Sequence, residues 1–333
     1  TTKEYTAFEV RVLAEQLDLG LDILSDIIWS PAFRAEEVEA ERSVMVEEIF
    51  MARDEPADLV HDLFAEALFG EHSLGRSTLG TEESIEPMSG VQIQSFHRAH
   101  YVPAATVVAV AGAVDHDAVV AALERGSAGC GGGEPARRQP APEGRGGRLV
   151  QTRTTEQAHL VLGVRTPGAL DEDRMALEVV NQALGGGISS RLFQEVRERR
   201  GLAYSVYSYR CSFTDAGALA FYAGTAPKNA AEVLDIFHAE LDRLGEVGVT
   251  ERELTVAKGQ VRGSTVLGLE DTGARMNRLG RAQMLHGEVC PLDDLLARID
   301  AVGAEDVARV AGRIATEPRT LAAIGPFADL DLP

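Results

Sequence analysis

The sequence has few cysteines and no long apolar run. Its 333 residues include three cysteines, an odd number with no closely spaced pair: Cys130, Cys211 and Cys290. This pattern excludes a disulfide framework and a cysteine zinc site, and it favours a reducing, cytoplasmic location. No stretch approaches the length of a membrane-spanning helix, and the first residues lack the basic start and apolar core of a signal peptide. We therefore expect a soluble protein.

Basic residues are scarce relative to acidic ones. The chain has 32 Lys and Arg against 52 Asp and Glu, which gives a formal net charge of -20. Nucleic-acid-binding proteins concentrate positive charge, so nucleic acid and anionic membranes are predicted not to be partners. The acidity favours basic ligands such as cationic peptides, or it serves solubility alone.

The length of the chain favours two domains of similar size. Residues 126–148 are rich in Gly, Pro, Ala and Arg and contain no large apolar side chain, which is typical of a linker. The predicted domains are therefore residues 1–125 and 149–333. The first residues already alternate like a strand and lack an initiator Met, so we expect the upstream part of the first domain to be missing.

The two halves repeat the same order of elements. The motif LDI at Leu21 is echoed by LDI at Leu234, and TVVAVAG at Thr106 is matched by TLAAIG at Thr320. Strand patterns cover residues 5–12, 106–114, 159–164, 203–210 and 217–223. Helical patterns cover residues 17–29, 35–54, 56–69, 88–101, 116–124, 171–184 and 189–200. Because the same order of helices and strands occurs in both halves, the sequence predicts an α+β fold with two homologous domains. Each domain is predicted to be a mostly antiparallel sheet packed with helices.

The predicted helix over residues 35–54 carries two carboxylates on one face. Glu41 and Glu48 are two helical turns apart in the sequence. An apolar stripe predicts that part of this helix is buried: Val38, Val44, Met45, Ile49 and Phe50. In the second half, Ala257 and Ser264 occupy the equivalent positions, so only one copy carries the acids. The spacing of the two glutamates and their absence from the second copy leave two interpretations open: a functional pair of acids, or a solvated acidic helix face.

A second dense stretch, GGGISSRLFQEVRERRGLAYSVYS, lies in the other half. Gly185, Gly186 and Gly187 lack the Lys-Ser/Thr of a phosphate-binding loop, so a substrate-contacting loop or a plain helix turn fits better. Arg197 and Tyr204 end the next helix and begin the next strand, so both could point into one cleft. Their side chains are hydrogen-bond donors suited to a peptide carbonyl or an oxyanion. The alternative is an exposed Arg and a core Tyr.

The eight histidines do not form a recognisable zinc motif. His97 and His100 are the only close pair, and the Glu that a zinc-protease motif requires is absent between them. We interpret them as an ordinary helix end. Zinc usually takes about four ligands, commonly His or Cys, so a carboxylate helix alone does not predict a metal site.

Four segments together resemble a known family: TTKEYTAF, ERSVMVEE, LFGEHSLGRSTLGTEESI and GGGISSRLFQEVRERRGLAYSVYS. They resemble the pitrilysin, insulinase and mitochondrial processing peptidase family, in its short bacterial two-domain form. The resemblance implies a clamshell of two homologous domains around a chamber and a catalytic zinc. It implies that Glu48 is a zinc ligand, that Glu41 is the supporting acid of the site, and that Arg197 and Tyr204 bind substrate beside the loop of Gly185, Gly186 and Gly187.

The sequence departs from this family in one respect. The motif H-x-x-E-H, which supplies two zinc ligands and the general base, does not occur. In the family it would fall upstream of Thr1, and without it Glu48 alone would hold no zinc. The resulting hypothesis is a zinc-dependent endopeptidase that cleaves peptides or unfolded segments, with paired subunits such as a homodimer. The alternative is a non-catalytic partner or scaffold subunit of the same fold that binds peptide or a catalytic subunit.

Overall fold

The structure is a computed structural model that describes residues 1–131, 133–134, 138–144, 146–327 and 332. Part of the predicted linker over residues 126–148 lies outside the described residues, so the boundaries at 125 and 149 stay predictions. Within the described ranges, no helix combines the length and the apolar character needed to cross a membrane.

The chain forms two compact units, each built from separate stretches of sequence. Unit 1 comprises Thr1–Phe50, Thr78–Gln139 and Leu267–Val289, and unit 2 comprises Met51–Ser77, Pro140–Val266 and Cys290–Pro333. The helices, in chain order, are α1 (Leu17–Trp29), α2 (Ala35–Asp54), α3 (Pro56–Phe69), α4 (Glu82–Ile85), α5 (Gly90–His100), α6 (His116–Gly126), α7 (Arg174–Gly185), α8 (Ala230–Val247), α9 (Glu251–Gly268), α10 (Thr272–His286), α11 (Leu292–Ala301) and α12 (Ala304–Thr316). A π-helix covers Phe193–Arg199. The strands are β1 (Gly147–Thr152), β2 (Ala158–Thr166), β3 (Ala203–Ser212), β4 (Gly217–Thr225) and β5 (Thr320–Gly325).

The predicted helices over residues 17–29, 35–54 and 56–69 are confirmed with the same bounds. Local chemistry explains the ends of α3. The Glu55 side chain accepts a hydrogen bond from the Ala57 amide, Pro56 occupies the first turn, and Gly70 follows the helix at φ 59°. Positive φ costs a glycine little, so Gly70 ends the helix without strain.

The strand predictions in unit 1 were wrong. Residues 5–12 and 106–114 form no strand, and all the strands among the described residues belong to unit 2. A strand requires a neighbouring chain for its hydrogen bonds, and neither segment pairs within the described part of unit 1. Their apolar side chains are therefore partly exposed, including Phe8 at 42% and Val108 at 47%. Among the described residues, a mostly antiparallel sheet is thus present in unit 2 alone.

The strand predictions in unit 2 are confirmed. The described strands form one sheet in the order β1-β5-β2-β4-β3. β1 pairs with β5 in parallel, and the remaining neighbours are antiparallel. β3 therefore lies at an edge of the sheet, with β4 as its paired neighbour. The α+β fold class predicted from the sequence is confirmed by this mostly antiparallel sheet packed with helices.

Each face of this sheet has its own apolar core. Alternate side chains such as Leu162 and Phe221 pack against α7, α8 and α12 on one face. The intervening residues, such as Val161 and Ala220, pack against α3 on the other. Gly163 lies directly beneath α3, where an added Cβ would be 2.7 Å from the Phe64 ring and 2.5 Å from the Leu219 carbonyl oxygen. Because successive side chains point to opposite faces of a strand, the same strands supply apolar residues to both cores.

Candidate functional site

Arg197 and Tyr204 lie against each other in unit 2. The Arg197 guanidinium carbon is 4.2 Å from the centre of the Tyr204 ring and 4.8 Å from that of Phe193. One Arg197 Nη1–H donates to the Tyr204 carbonyl oxygen at 3.2 Å. These contacts hold the cation on aromatic faces. The structure thus brings into contact the two side chains that, from the sequence, could point into one cleft.

Tyr204 is exposed because the edge strand is irregular at that point. Ala203 pairs with Thr225 and Ser205 pairs with Gly224, so Tyr204 is an additional residue in the ladder. An extra residue of this kind redirects a side chain away from the regular alternation. Tyr204 is 80% exposed, so the alternative of a core tyrosine does not hold.

A buried ion pair anchors the segment that precedes Arg197. Arg191 donates from Nε and Nη2 to the two Glu253 carboxylate oxygens at 2.7 and 2.8 Å, and also to the Gly248 carbonyl at 2.7 Å. The Arg191 side chain is only 4% exposed. Burial opposes the ionisation of Glu253, but hydrogen bonds from Arg191 and Thr250 outweigh it and lower the Glu253 pKa to about 2. Glu253 is therefore ionised at neutral pH, and the pair fixes this segment against α9.

The three glycines lie where α7 meets β3 and α9. A Cβ on Gly185 would be 2.1 Å from the Ser208 amide nitrogen of β3. A Cβ on Gly187 would be 2.9 Å from the Gln260 amide of α9. This close packing explains why position 185 is occupied by glycine, with no need for a bound ligand. Contact of Gly185, Gly186 and Gly187 with a substrate stays a prediction.

Glu41 and Glu48 are both exposed on α2. The predicted buried stripe of this helix was too wide, since Ile49 is the one buried residue of α2. Val44 is 49% exposed and Phe50 is 43% exposed. Within the described residues, neither carboxylate has a hydrogen-bond or ion-pair partner. Two exposed acids on a helix are compatible with both interpretations left open by the sequence.

The described residues do not contain a complete metal site. No group of three or more His, Cys, Asp or Glu side chains in these ranges could hold a metal ion. His97 and His100 have other contacts, since His97 Nε2 lies 2.9 Å from the Ile28 carbonyl oxygen and His100 Nδ1 lies 2.8 Å from that of Phe96. Glu48 thus offers a single carboxylate, which does not fit the ligand set that zinc requires.

Sequence reasoning missed a cluster of histidine and tyrosine rings on the α3 face of the sheet. His61 Nδ1 lies 2.8 Å from the Tyr209 hydroxyl, and His61 Nε2 lies 3.3 Å from the Tyr207 hydroxyl. His159 Nδ1 lies 3.0 Å from the Tyr222 hydroxyl, and the His61 and Tyr222 ring centres are 5.2 Å apart. The alternation of Tyr207 and Tyr209 in the strand pattern was the available signal.

Burial determines the ionisation of this cluster. It lowers the pKa of His61, an effect that Asp58 and Asp62 oppose. It raises the pKa of Tyr222 to about 12 and raises that of Tyr209 further. The tyrosines are therefore neutral at physiological pH, and neutral imidazole is favoured at His61.

Comparison with known families identifies the chain. The family model described as insulinase (peptidase family M16) matches residues 1–82, and the model described as peptidase M16 inactive domain matches residues 88–261. The chain belongs to peptidase family M16. The resemblance drawn from the sequence motifs is thereby confirmed.

Curated M16 relatives align with nearly the whole chain. An uncharacterized zinc protease of Streptomyces coelicolor is 45% identical over 337 residues, covering 99% of this chain and 73% of the relative. An uncharacterized zinc protease of Bacillus subtilis is 37% identical over 330 residues, covering 99% of this chain and 80% of the relative. Their names support a protease family and an association with zinc.

Two solved structures show the same fold. A peptidase M16 inactive domain from Pseudomonas fluorescens has a TM-score of 0.85 and 23% identity, covering 95% of this chain and 76% of that one. A protease from Helicobacter pylori has a TM-score of 0.82 and 20% identity, covering 94% of this chain and 77% of that one. At these identities the likeness concerns the fold.

Proposed function

We propose that this M16 protein acts in zinc-dependent endopeptidase chemistry on peptides or unfolded segments, and that its unit 2 binds the peptide. Membership of family M16 and relatives named zinc proteases support the reaction class. The observation that carries peptide binding is the Arg197–Tyr204 pair, in which a cation with a 33% exposed side chain lies beside a tyrosine that is 80% exposed.

The chemistry of this pair suits a peptide main chain. A guanidinium has five N–H donors; on Arg197, one donates to the Tyr204 carbonyl oxygen, and Nε lies 3.8 Å from a Glu198 carboxylate oxygen. The remaining N–H groups and the Tyr204 hydroxyl are suited to donate to peptide carbonyl oxygens or to a developing oxyanion. Because the Arg197 side chain is held between Phe193 and Tyr204, little side-chain entropy remains to be lost on binding.

The metal part of the proposal assigns one residue of this chain. We propose Glu48 as a zinc ligand and Glu41 as its supporting acid. The described residues form no group of three or more His, Cys, Asp or Glu side chains that could hold a metal ion, so no hydrolytic step is derived from them. Contact between peptide and the loop of Gly185, Gly186 and Gly187 belongs to the same proposal, as does pairing of subunits.

Peptide affinity tests this function through variants of a single helix. Fluorescence anisotropy with a labelled unstructured peptide should show that Arg197→Ala weakens binding about tenfold, the cost of losing a charged hydrogen bond. Arg199→Ala is the matched control, because Arg199 lies on the same π-helix and pairs with Glu195 at 3.0 Å. Equal affinities for the wild-type protein and Arg197→Ala would refute peptide binding at this pair.

A specific observation favours a second function, that of a non-catalytic subunit. The described residues lack a three-ligand metal group, and the family model over residues 88–261 is that of an inactive domain. Such a subunit would bind peptide through the same pair without metal. Zinc content of the full-length natural protein, measured by mass spectrometry, together with its hydrolysis of a quenched fluorescent peptide, separates the two functions. An endopeptidase holds zinc and cleaves, whereas a scaffold subunit binds peptide and does neither.

A further inference from the structure

The edge strand β3 carries Tyr204, and side chains hold this strand from both faces. On one face, the Ser208 hydroxyl donates to the Asn181 carbonyl of α7 at 2.8 Å. On the other face, His61 of α3 bonds to the hydroxyls of Tyr207 and Tyr209. Within the sheet, β3 has hydrogen bonds to β4 alone among the described strands. The geometry of β3 therefore depends on these lateral contacts.

His61 is suited to such a contact because both of its ring nitrogens are engaged. In a neutral imidazole one nitrogen donates and the other accepts. One phenol therefore donates to His61, while the other accepts from it. The His61 ring also packs edge-on to Tyr209, with centres 5.0 Å apart, and tilted on Tyr222 at 5.2 Å. The ring is thus fixed by packing as well as by hydrogen bonds.

Tyr207 connects this contact to the peptide-binding pair. It lies three residues after Tyr204 on the same strand, beyond the irregular pairing at Ala203 and Ser205. A bulged residue is held less firmly by the ladder, so its direction depends on how the adjacent regular residues are fixed. Tyr207 is the first of these residues to contact α3 through a hydrogen bond to His61.

We propose that His61 is a positioning residue for peptide binding, which holds β3 in the orientation that presents Tyr204 beside Arg197. This proposal rests on the proposed function. His61 does not touch the peptide itself. Loss of its two hydrogen bonds frees β3 on one face and leaves the partly buried Tyr209 hydroxyl without its acceptor or donor.

Acidification provides a second way to disturb this contact. Protonated imidazole donates from both nitrogens, so the phenol that donates to neutral His61 loses its acceptor. The groups that face His61 are Asp58 and Asp62 on α3, Tyr207 and Tyr209 on β3, Tyr222 on β4 and His159 on β2. Burial favours the neutral ring, so the contact is intact near neutral pH and weakens below the ordinary histidine range.

The test compares two replacements of His61 by anisotropy with the same labelled peptide. His61→Phe keeps a ring but removes both hydrogen bonds, and we expect roughly tenfold weaker binding. His61→Gln restores one donor and one acceptor, so we expect less than about threefold loss. Wild-type affinity should fall as pH decreases from about 7.5 to about 5, whereas His61→Gln should show a flatter profile. His61→Phe with unchanged affinity would overturn the proposal, as would equal losses in both variants.

Hydrogen exchange distinguishes failure of this proposal from failure of the proposed function. We expect His61→Phe to accelerate amide exchange in residues 203–209 at a protein concentration where circular dichroism shows a folded chain. Tyr209→Phe, which removes one of the same bonds, should accelerate exchange in the same residues to a smaller extent. If the wild-type protein binds no peptide, the proposed function fails. If exchange in residues 203–209 of His61→Phe is unchanged, the positioning of β3 by His61 is refuted, whether or not the wild-type protein binds peptide.

Discussion

Unit 2 covers both faces of its sheet, whereas the strand-like segments of unit 1 have no paired strand among the described residues. Leu162 and Val161, adjacent on β2, are 1% and 0% exposed on opposite faces. In unit 1, Val107 and Val108 are 37% and 47% exposed. Both regions have apolar sequences, so composition alone does not create a core. Burial requires a second layer that covers the apolar side chains, and the Arg197–Tyr204 pair lies in unit 2, where the sheet is covered on both faces.

The largest expected contrast concerns ion pairs. Arg191→Ala in unit 2 should lower the free energy of unfolding by about 3 kcal/mol, because the partly buried Glu253 loses its two-point partner and the buried Glu240 keeps only its pair with Arg243. Arg34→Ala in unit 1 removes an exposed pair with Glu37 and should cost about 0.3 kcal/mol. Urea unfolding followed by circular dichroism measures both. Similar costs would contradict the contrast in burial.

Leucine truncation should give the next largest contrast. Leu234 on α8 is fully buried, whereas Leu19 on α1 is 53% exposed. Leu234→Ala should destabilise by about 3 kcal/mol through lost burial and a cavity, and Leu19→Ala by less than about 0.5 kcal/mol. The same urea titrations test this pair. A large effect of Leu19→Ala would show that its side chain is buried in the folded protein in solution.

Glycine substitution should give a smaller contrast. Gly185→Ala places a Cβ 2.1 Å from the Ser208 amide, so β3 must shift at a cost of about 2 kcal/mol. On α5 of unit 1, a Cβ on Gly90 would be 3.8 Å from Val38, which is ordinary contact. Gly90→Ala should therefore change stability by less than about 1 kcal/mol. Thermal unfolding compares the two, and a tolerated Gly185→Ala would show that α7 and β3 pack less closely.

The smallest expected effect is a dependence of stability on pH. The pKa of Glu253 in the folded protein is about 2, against an ordinary value of 4.5. A lowered pKa stabilises the folded state above the unfolded value, and this contribution is lost as pH falls from about 4.5 towards 2. Wild-type protein should therefore lose about 1 kcal/mol relative to Glu253→Gln as pH falls through this window, after allowance for solvent screening. If the difference in stability between the wild-type protein and Glu253→Gln does not change with pH, the Glu253 carboxylate is not stabilised in its charged form.

Local patterns explain which elements were predictable from the sequence. The bounds of α1, α2 and α3 follow from helical periodicity and from Pro and Gly at their ends. Arg197 and Tyr204 were found because they are close in sequence and the connection between them is short. The strands β2, β3 and β4 of unit 2 were predicted because their alternating residues meet partners in the same unit.

Non-local contacts explain the rest. Residues 5–12 and 106–114 have strand patterns, but a pattern does not supply the neighbouring strand. The cluster of His61, His159 and Tyr222 joins positions far apart in the sequence, so each histidine looked isolated. The stripe on α2 was overestimated because helical periodicity does not reveal how much of the apolar face another element covers.

A double-mutant cycle of peptide affinity tests the central claim, that Arg197 and Tyr204 form one binding surface, most directly. Arg197→Ala, Tyr204→Ala and the double variant are titrated by anisotropy against the same labelled peptide. We predict that each single change weakens binding and that the double variant loses less than the sum of the two, because the residues share contacts. Two single variants that bind as tightly as the wild-type protein would contradict the account.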